Sequence, residues 1–338
     1  MLLKSFLNRK QYVYSNGCQS GLNQINCGVA QGSKLGPLLF LLYINDLPNS
    51  INCTPRLFAD DTCLIVSNNT VNSLLHSMNL HLSNLHNWCA ANKLIINPSK
   101  SSCLIIPPNS KSLALDSKLT LSLNNTRIEI VDECKYLGVT LDTKLNFHPH
   151  IKSIEHKLSR ATGIISKLRS TLPKKALTHL YYAFVHPQLL YGLPVWGSTY
   201  KTYLSKLCVL QNKAIKSICG AKYFDKSSIY YSQLNILKLP DLFKFETAKL
   251  VHQYFSNHLP SPLSNLFIKN SQISSRTTRS SCREKMTLYT PLYSSSKLQR
   301  CIKYQGVKIW NSIPQNYKHL NFYAFKKKFK KFLSENYM

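Results

Sequence analysis

Two adjacent aspartates, Asp60 and Asp61, stand between apolar runs in the stretch "RLFADDTCLIVS", Arg56 to Ser67. The apolar runs on either side predict a hairpin with the pair between its strands. Two carboxylates about 4 Å apart repel by roughly 4 kcal/mol at an effective dielectric constant of 20. Either one carboxyl group is protonated or a cation binds there. Since the chain has only 14 acidic residues among 338, the pair strongly constrains what this region can be.

A divalent metal ion is one explanation for the pair. Magnesium prefers hard oxygen ligands and is typically held by one or two carboxylates together with water and substrate phosphates. An exposed acidic turn is the other explanation, and the dipeptide alone favours neither.

A glycine-containing loop lies upstream, in "GVAQGSKLGPLLFLLYINDLP", and leads into an apolar helix with Pro37 near its first turn. Gly32 allows the backbone to approach a nucleotide or template base closely, and Ser33 adds a hydroxyl group. A structural turn explains the glycines equally well. It does not explain their placement 28 residues before the aspartate pair, with further motif-like segments after it.

The net charge of +29 is unevenly distributed along the chain. Residues 1–142 contain 11 Lys and Arg against 8 Asp and Glu, whereas residues 143–338 contain 32 against 6. Such a concentration of positive charge favours nucleic acid as the partner. A lysine-rich solubilising surface and contact with an anionic membrane surface are the alternatives.

Composition and sequence runs exclude several classes of protein. With 44% apolar and 11% aromatic residues the chain is expected to fold. Eleven single cysteines without a CxxC pair argue against a disulfide framework or a zinc site. The N-terminus lacks the apolar core of a signal peptide, and the longest apolar run, "PLLFLLYI", is far shorter than the ~20 residues of a membrane span. We expect an intracellular, soluble protein in nucleus or cytoplasm, with no membrane contact and no obligate protein partner.

Residues 1–142 predict an α+β fold in the order helix, hairpin, helix, strands. The long helix is expected in "VNSLLHSMNLHLSNLHNWCAANK", and strands in the short apolar segments "CLIV", "KLII" and "CLIIPP". Residues 143–220 predict a small basic helical domain with an apolar face formed by Ile151, Ile154, Leu158, Ala161, Ile165 and Leu168.

Three further blocks are expected in the C-terminal part. Residues 221–270 predict a helical segment, 271–296 a Ser/Thr/Arg-rich loop or linker, and 297–338 a basic amphipathic tail. In the tail, phenylalanines at helical spacing oppose five lysines. A docked helix with a solvated face, a nucleic-acid contact and a nuclear-import patch all explain this pattern.

Four segments in a fixed order carry a family resemblance. They are the glycine loop with its helix, "FADD", "LHNWCAANKLIINPSKS" and "CKYLGVTLD". Together they resemble the reverse transcriptases of non-LTR retrotransposons of the LINE and jockey type. "HPQLLYGLPVWG" and "VKIWNSIP" are similar to recurrent segments of the thumb and C-terminal regions of that family, so the resemblance covers nearly the whole chain.

The resemblance implies a polymerase palm followed by a helical thumb, which copies an RNA template into DNA from a DNA primer and deoxynucleoside triphosphates. It implies two Mg2+ ions, with Mn2+ as a possible substitute, held in part by the catalytic Asp60 and Asp61. Phe58 would pack near the primer end, and Lys100 would approach the leaving pyrophosphate. The other implied roles are nucleotide or template contacts at Gln31, Gly32 and Ser33 and a primer grip at Tyr136, Leu137 and Gly138.

The chain also departs from that family. The family supplies a third carboxylate from a strand before the glycine loop, whereas Asp46 is the only acidic residue before Asp60 here and is interpreted as a helix-end or capping residue. The fingers strands and an endonuclease domain are missing, Ala30 replaces a usual proline, and Gly36 replaces a usual serine. We therefore expect a truncated copy, a partial gene model or a fragment that does not polymerise DNA by itself.

Two other classes of function compete with the polymerase. One is a catalytically dead remnant whose basic C-terminal block still binds RNA or DNA. The other, a metal-dependent phosphohydrolase, is weakly supported because His76, His81 and His86 follow at spacings of five and do not share a helix face.

Overall fold

The computed structural model describes residues 8–25, 28–30, 32–108, 120–124, 126–222, 224–273, 286–335 and 337. Helices predominate over small, mostly antiparallel sheets, which confirms the predicted α+β class. The chain forms two compact units. The first unit comprises Met1–Cys103 with Ser112–Val131, and the second comprises Leu104–Lys111 with Asp132–Met338.

The described residues of the first unit form two α-helices and several short strands. Its helices are α1 (Gly36–Ile44) and α2 (Val71–Ala91). Its strands are β1 (Arg9–Gln11), β2 (Tyr14–Ser15), β3 (Cys18–Gln19), β4 (Asn23–Ile25), β5 (Arg56–Phe58), β6 (Asp61–Cys63), β7 (Ser102–Cys103), β8 (Leu121–Leu123) and β9 (Thr126–Ile130). β1 pairs with β4, β2 with β3 and β5 with β6, each antiparallel. β9 lies between β7, its parallel neighbour, and β8, its antiparallel neighbour.

Helix α2 forms where the sequence predicts it. The Thr70 side chain accepts a hydrogen bond from the Ser73 amide and caps its first turn. The Asn79 side chain fixes β8 to the helix, since it donates to the Thr120 carbonyl at 3.0 Å and accepts from the Ser122 amide at 3.1 Å. These two bonds hold helix α2 beside strand β8.

The three apolar segments expected as strands form little strand structure. Only Cys63 of "CLIV" lies in β6, and only Cys103 of "CLIIPP" lies in β7. "KLII", residues 93–96, has no strand assignment, and Ile95 is 98% exposed while Leu94 and Ile96 are partly buried. The segment alternates like a strand but has no strand partner in the part of the chain that is described. Alternation reports which side chains are buried, whereas a strand also requires a hydrogen-bonded neighbour.

In the part of the second unit that the structure describes, one hairpin precedes a series of helices. The hairpin pairs β10 (Glu133–Tyr136) with β11 (Val139–Asp142). The helices are α3 (His148–Leu168), α4 (Lys174–Leu180), α5 (His186–Leu190), α6 (Leu193–Trp196), α7 (Lys201–Ile218), α8 (Ser227–Gln233), α9 (Leu239–Phe255), α10 (Ser261–Ser264), α11 (Asn270–Ile273), α12 (Ser296–Arg300), α13 (Ile302–Ser312), α14 (Gln315–Lys318) and α15 (Phe322–Glu335).

Within the helical domain expected for residues 143–220, the helical stretch "ALTHLYYAFVHPQLLYG", residues 176–192, is interrupted. A π-helical segment, Tyr181–Val185, separates α4 from α5. The His186 amide bonds to the Tyr181 carbonyl, and Pro187 follows, whose nitrogen carries no hydrogen to continue the ladder. Local periodicity predicts a helix here but does not predict that one turn of it is π-helical.

A single apolar core stabilises the second unit. Of the predicted face of α3, all but the half-buried Leu168 are buried, and they pack with residues of α7 such as Leu207 and Ile215. In the C-terminal helix α15, Phe325 and Phe329 are fully or almost fully buried in the same core. The aromatic face of the tail is therefore docked, and its predicted nucleic-acid or import role stays a prediction.

Part of the predicted linker, residues 274–285, lies outside the described residues. After it, the indole of Trp310 donates a hydrogen bond to the Met286 carbonyl at 2.9 Å. Leu288 is buried and forms an isolated antiparallel β-bridge with Lys269. The predicted domain boundaries stay predictions. Among the residues with a described position, no helix has both the length and the apolar character needed to cross a membrane.

Candidate active site

The aspartate pair lies at the tip of the β5–β6 hairpin. Phe58 pairs with Asp61 across a two-residue turn formed by Ala59 and Asp60. Ala59 has a φ of +52°, a left-handed conformation that costs about 1 to 2 kcal/mol for a residue with a Cβ. This conformation lets the chain reverse within two residues, and it places both aspartates at the hairpin end.

Alternation along the hairpin separates an anchored side from an exposed side. Leu57 packs on the apolar cluster that includes Ile44 and Trp88, whereas Phe58 is 62% exposed. Asp60 and Asp61 are exposed as well. Because side chains alternate along a strand, Phe58 and Asp61 share the face opposite to Leu57. The hairpin is therefore held by the core and presents its ring and carboxylates outward.

The carboxylates of Asp60 and Asp61 form no ion pair with any residue that the structure describes; the ion pairs found there involve Glu155, Asp241 and Glu246. Their hard, anionic oxygens are the donor type that magnesium prefers, so the pair fits two carboxylate ligands of such an ion. No group of three metal-ligating side chains occurs in the described parts of the chain.

Asp46 lies at the N-terminal cap of a short 3-10 helix, Leu47–Ser50. Its side chain is exposed and makes no capping hydrogen bond. Its carbonyl oxygen accepts from the Asn49 amide instead, at 2.9 Å. The sequence interpretation of Asp46 as a helix-end residue agrees with this position.

The glycine loop is closed by its serine. The Ser33 hydroxyl donates to the Ala30 carbonyl at 2.8 Å and accepts from the Gly36 amide at 3.0 Å. A Cβ at Gly36 would lie 2.8 Å from both the Ala30 carbonyl oxygen and Ser33 Oγ. A Cβ where α1 begins would therefore force the loop of this chain to shift.

Gln31 and Gly32 are the other two loop residues implied as nucleotide or template contacts. Gln31 lies outside the described residues. Gly32 has a φ of +76° and open space around it, which suits close approach by a ligand. The contacts expected of Gln31, Gly32 and Ser33 stay predictions, and the Ser33 hydroxyl is engaged within the loop in this conformation.

Lys100 ends a 3-10 helix, Pro98–Lys100, and its side chain is exposed. The Asn97 side chain caps this turn, since its Oδ1 accepts from the Ser99 amide at 3.1 Å and from the Ser99 hydroxyl at 2.6 Å. Asn97 and Lys100 are the two residues that mark the end of the third motif, so a local cap holds the turn that presents the lysine.

One apolar cluster supports three of the motif segments. Phe40 of α1, Leu57 of β5 and Leu94, which follows α2, all pack on the buried group formed by Ile44, Leu47, Ile51, Leu85, Trp88 and Cys89. The first unit therefore fixes the glycine loop, the aspartate hairpin and the segment before Lys100 on a common base.

The primer-grip segment lies in the second unit, in the β10–β11 hairpin. Tyr136 pairs with Val139, and the turn residues Leu137 and Gly138 have φ values of +45° and +80°. Two successive positive φ values define the tight hairpin turn that matches the strand twist. A Cβ at Gly138 would lie 3.0 Å from Tyr191 Cε1, so the turn is closely packed from outside.

The segment "HPQLLYGLPVWG" resembles a thumb motif, but its sequence indicates no role for its individual residues, and the structure supplies one. The Tyr191 hydroxyl donates to the Leu137 carbonyl at 2.6 Å, and the Trp196 indole donates to the Tyr191 carbonyl at 2.8 Å. A Cβ at Gly192 would lie 3.0 Å from Val139. Tyr191, Trp196 and Gly192 of this segment thus hold the turn formed by Leu137 and Gly138.

A buried carboxylate that sequence reasoning missed connects this hairpin to α3. Asp142 accepts hydrogen bonds from the amides of Lys144 at 3.0 Å, Asn146 at 3.1 Å and Phe147 at 2.6 Å. The loop reverses through two left-handed residues, Leu145 and Phe147. The only sequence signal was an aspartate that ends an apolar strand just before a helix.

Residues 2–141 match the family model described as "Reverse transcriptase (RNA-dependent DNA polymerase)". The chain is 28% identical over 269 residues to the RNA-directed DNA polymerase from mobile element jockey of Drosophila funebris, covering 76% of this chain and 29% of the relative. It is also 28% identical over 272 residues to a probable RNA-directed DNA polymerase from transposon BS of Drosophila melanogaster, again covering 76% and 29%. It is 25% identical to a Pol polyprotein of the R1 element of Bradysia coprophila, covering 57% of this chain and 19% of the relative.

These matches identify residues 2–141 as a reverse transcriptase region. The chain is homologous to the RNA-directed DNA polymerases of jockey and other non-LTR retrotransposons, which confirms the resemblance seen in the motifs. It spans about 29% of the length of the curated relatives named first.

Proposed function

We propose that this chain provides part of the palm and a thumb-like helical region of an RNA-directed DNA polymerase of a non-LTR retrotransposon. The observation that carries the proposal is the core-anchored hairpin, which presents Asp60 and Asp61 without ion-pair partners among the described residues. It lies within the reverse transcriptase region. RNA template, DNA primer and deoxynucleoside triphosphates are the proposed substrates.

Asp60 and Asp61 are the proposed metal ligands, for Mg2+ with Mn2+ as a substitute. When bound, divalent ions would supply charge stabilisation at the attacking and leaving oxygens of an in-line displacement. The exposed ring of Phe58, on the same hairpin face as Asp61, would pack against the primer end. Lys100 would offer its ammonium group to the leaving pyrophosphate.

The proposed positioning of the other substrate groups uses two turns. The glycine loop, through Gln31, Gly32 and Ser33, would contact the incoming nucleotide or the template base. The primer grip would be Tyr136, at the end of β10, together with the two-residue turn Leu137–Gly138, whose tight geometry suits a fixed contact with a sugar-phosphate chain. The basic second unit would contact further phosphates of the template and primer.

Metal binding by the aspartates is tested by Mn2+ titration of the purified chain, followed by electron paramagnetic resonance. We expect Asp60→Asn with Asp61→Asn to weaken Mn2+ binding at least tenfold, because both anionic ligands are lost. Asp46→Asn is the matched control, since it removes an exposed carboxylate of the same unit. Equal Mn2+ affinity in wild type and the double variant would overturn the metal assignment and favour a nucleic-acid-binding remnant.

RNA-templated extension of a DNA primer tests activity directly. As part of the proposal, the 338-residue chain does not extend a primer by itself, because the family resemblance implies a third carboxylate from an earlier strand. Extension that is abolished by Asp60→Asn would contradict this and would show that the site is complete within the chain.

A further inference from the structure

Four side chains of the second unit form a row of planar groups, which we call the aromatic ladder: His148, Tyr203, Tyr200 and Arg300. The ring centroids of His148 and Tyr203 are 4.7 Å apart, and those of Tyr203 and Tyr200 are 5.6 Å apart. The guanidinium carbon of Arg300 lies 4.4 Å from the centroid of the Tyr200 ring. The ladder joins the first turn of α3, the start of α7 and the end of α12.

The aromatic ladder is partly exposed to solvent, and a hydrogen bond fixes one end of it. Tyr200 is 46% exposed and His148 is exposed, while Tyr203 and Arg300 are half-buried. The Ser198 hydroxyl donates a hydrogen bond to the Arg300 carbonyl, which fixes the end of α12 beside Tyr200. Three of the four planar groups lie on helices, and this hydrogen bond fixes the position of the helix that carries Arg300.

A basic groove adjoins the aromatic ladder and shares His148 with it. The groove has a volume of about 540 Å3 and is lined by Glu133, His148, Pro149, Lys152, Ser153, His156, Lys157 and Arg160. His148, Lys152 and His156 are four residues apart on α3 and so follow one another along the same side of the helix. Three side chains with permanent positive charge face one carboxylate, so the groove is net cationic.

We propose that the aromatic ladder and the basic groove together bind a single strand of nucleic acid. Lys152, Lys157 and Arg160 would contact successive phosphates, and unpaired bases would stack on the exposed ladder groups, Tyr200 above all. A cationic groove beside exposed planar groups is the combination that binds single strands without sequence preference.

The chemistry favours this occupant over other polyanions. A lipid surface would use the positive charge but has no planar group to stack on Tyr200. A duplex keeps its bases stacked inside and offers only phosphates, so the ring would contribute little to its affinity. The ladder lies within the second unit, so this inference rests on the nucleic-acid contact proposed for that unit and deepens it by naming a single strand as the occupant. It requires no metal and stands independently of Asp60 and Asp61.

The test is fluorescence anisotropy with a labelled uridine oligonucleotide of about 12 nucleotides, within the range bound by single-strand sites. We expect Tyr200→Leu to weaken binding about tenfold, the loss of roughly one stacked base, and Tyr200→Phe to retain wild-type affinity because the ring remains. Tyr323→Leu is the matched control, since Tyr323 is 75% exposed on the basic helix α15.

Salt dependence tests the groove separately from the ladder. We expect Lys152→Gln with Lys157→Gln to reduce the slope of log affinity against log salt by about 0.7 for each phosphate that the variant no longer neutralises. Tyr200→Leu should leave that slope unchanged, because stacking releases no counterion.

Three results would overturn the proposal. The first is unchanged oligonucleotide affinity in Tyr200→Leu with a wild-type melting curve. The second is equal affinity for the single strand and for a duplex of the same length. The third is binding to phosphatidylserine vesicles that is as sensitive to Tyr200→Leu as binding to RNA, which would indicate a membrane surface. Retained Mn2+ binding in any of these cases would leave the proposed function intact, so the two failures are distinguishable.

Discussion

The hydroxyl of Tyr191 donates a 2.6 Å hydrogen bond to the carbonyl of Leu137, which joins residues 54 positions apart. Leu137 is the first residue of the turn between β10 and β11 and has a φ of +45°. A leucine in this left-handed conformation is unfavourable by about 1 to 2 kcal/mol. Tyr191 therefore stabilises a turn whose conformation is unfavourable for Leu137. It also fixes the residues that are proposed to grip the primer.

Tyr191→Phe removes this hydrogen bond and keeps the ring that packs on Gly138. We expect the free energy of unfolding to fall by about 0.5 to 1.5 kcal/mol, the usual net value of one such bond. Urea unfolding followed by circular dichroism measures it. Tyr323→Phe serves as the control, because Tyr323 is 75% exposed and distant in sequence; a loss of the same size in both variants would contradict the assigned role.

Gly36→Ala tests the closure of the glycine loop. The new Cβ would lie 2.8 Å from the Ala30 carbonyl oxygen, a backbone atom that can move little. We expect destabilisation by about 1 to 3 kcal/mol, as for other overpacked sites. Gly21→Ala is the matched control, because nothing lies within 4 Å of its Cβ position. Equal stability of the two variants would show that the loop adapts to the added methyl group.

Asp142→Ala tests the buried carboxylate that connects β11 to α3. Three backbone amides lose their acceptor, and we expect the free energy of unfolding to fall by about 1.5 to 3 kcal/mol, the range for bonds to a charged group. Asp142→Asn should cost less because one oxygen acceptor remains. Asp132→Ala, at an exposed position of the same unit, is expected to be nearly neutral. Thermal melting of the three variants measures these differences in stability. A loss in Asp132→Ala as large as that in Asp142→Ala would contradict the assigned role of Asp142.

Stability should fall when the pH decreases below about 6.5, the ordinary pKa of histidine. His252 lies in the core, stacked on Phe325 at 4.5 Å, and burial lowers its pKa although a hydrogen bond to the Leu320 carbonyl acts in the opposite direction. The unfolded chain then binds a proton that the folded chain does not, so acid favours unfolding. Burial lowers the pKa of His150 and His186 in the same way.

The measurement is the urea midpoint between pH 8 and about pH 5, a range that spans the titration of unfolded histidine. His252→Gln should lower stability at pH 8 and reduce its loss on acidification. His319→Gln, at an exposed position, is the control substitution. If His252→Gln shows the same pH dependence as wild type, the acid sensitivity arises elsewhere.

The sequence alone determined the elements whose signals are local. The apolar faces of α2 and α3 repeat at helical spacing, and both helices form over most of the expected residues. The short runs around Asp60 and Asp61 predicted a hairpin, which β5 and β6 form. The four motifs predicted a reverse transcriptase region, which the family match confirms.

Only the tertiary structure decided what depends on contacts between distant residues. Whether "KLII" becomes a strand depends on a hydrogen-bonded partner, and its own alternation carries no information about one. The role of Tyr191 depends on a turn 54 positions earlier in the chain, and the aromatic ladder joins three helices that are separate in sequence. Periodicity shows which side of an element is buried, because the polarity of each side chain along the element decides whether that side chain is buried. It does not fix which element meets which, because that depends on packing and hydrogen bonds formed only when the whole unit folds.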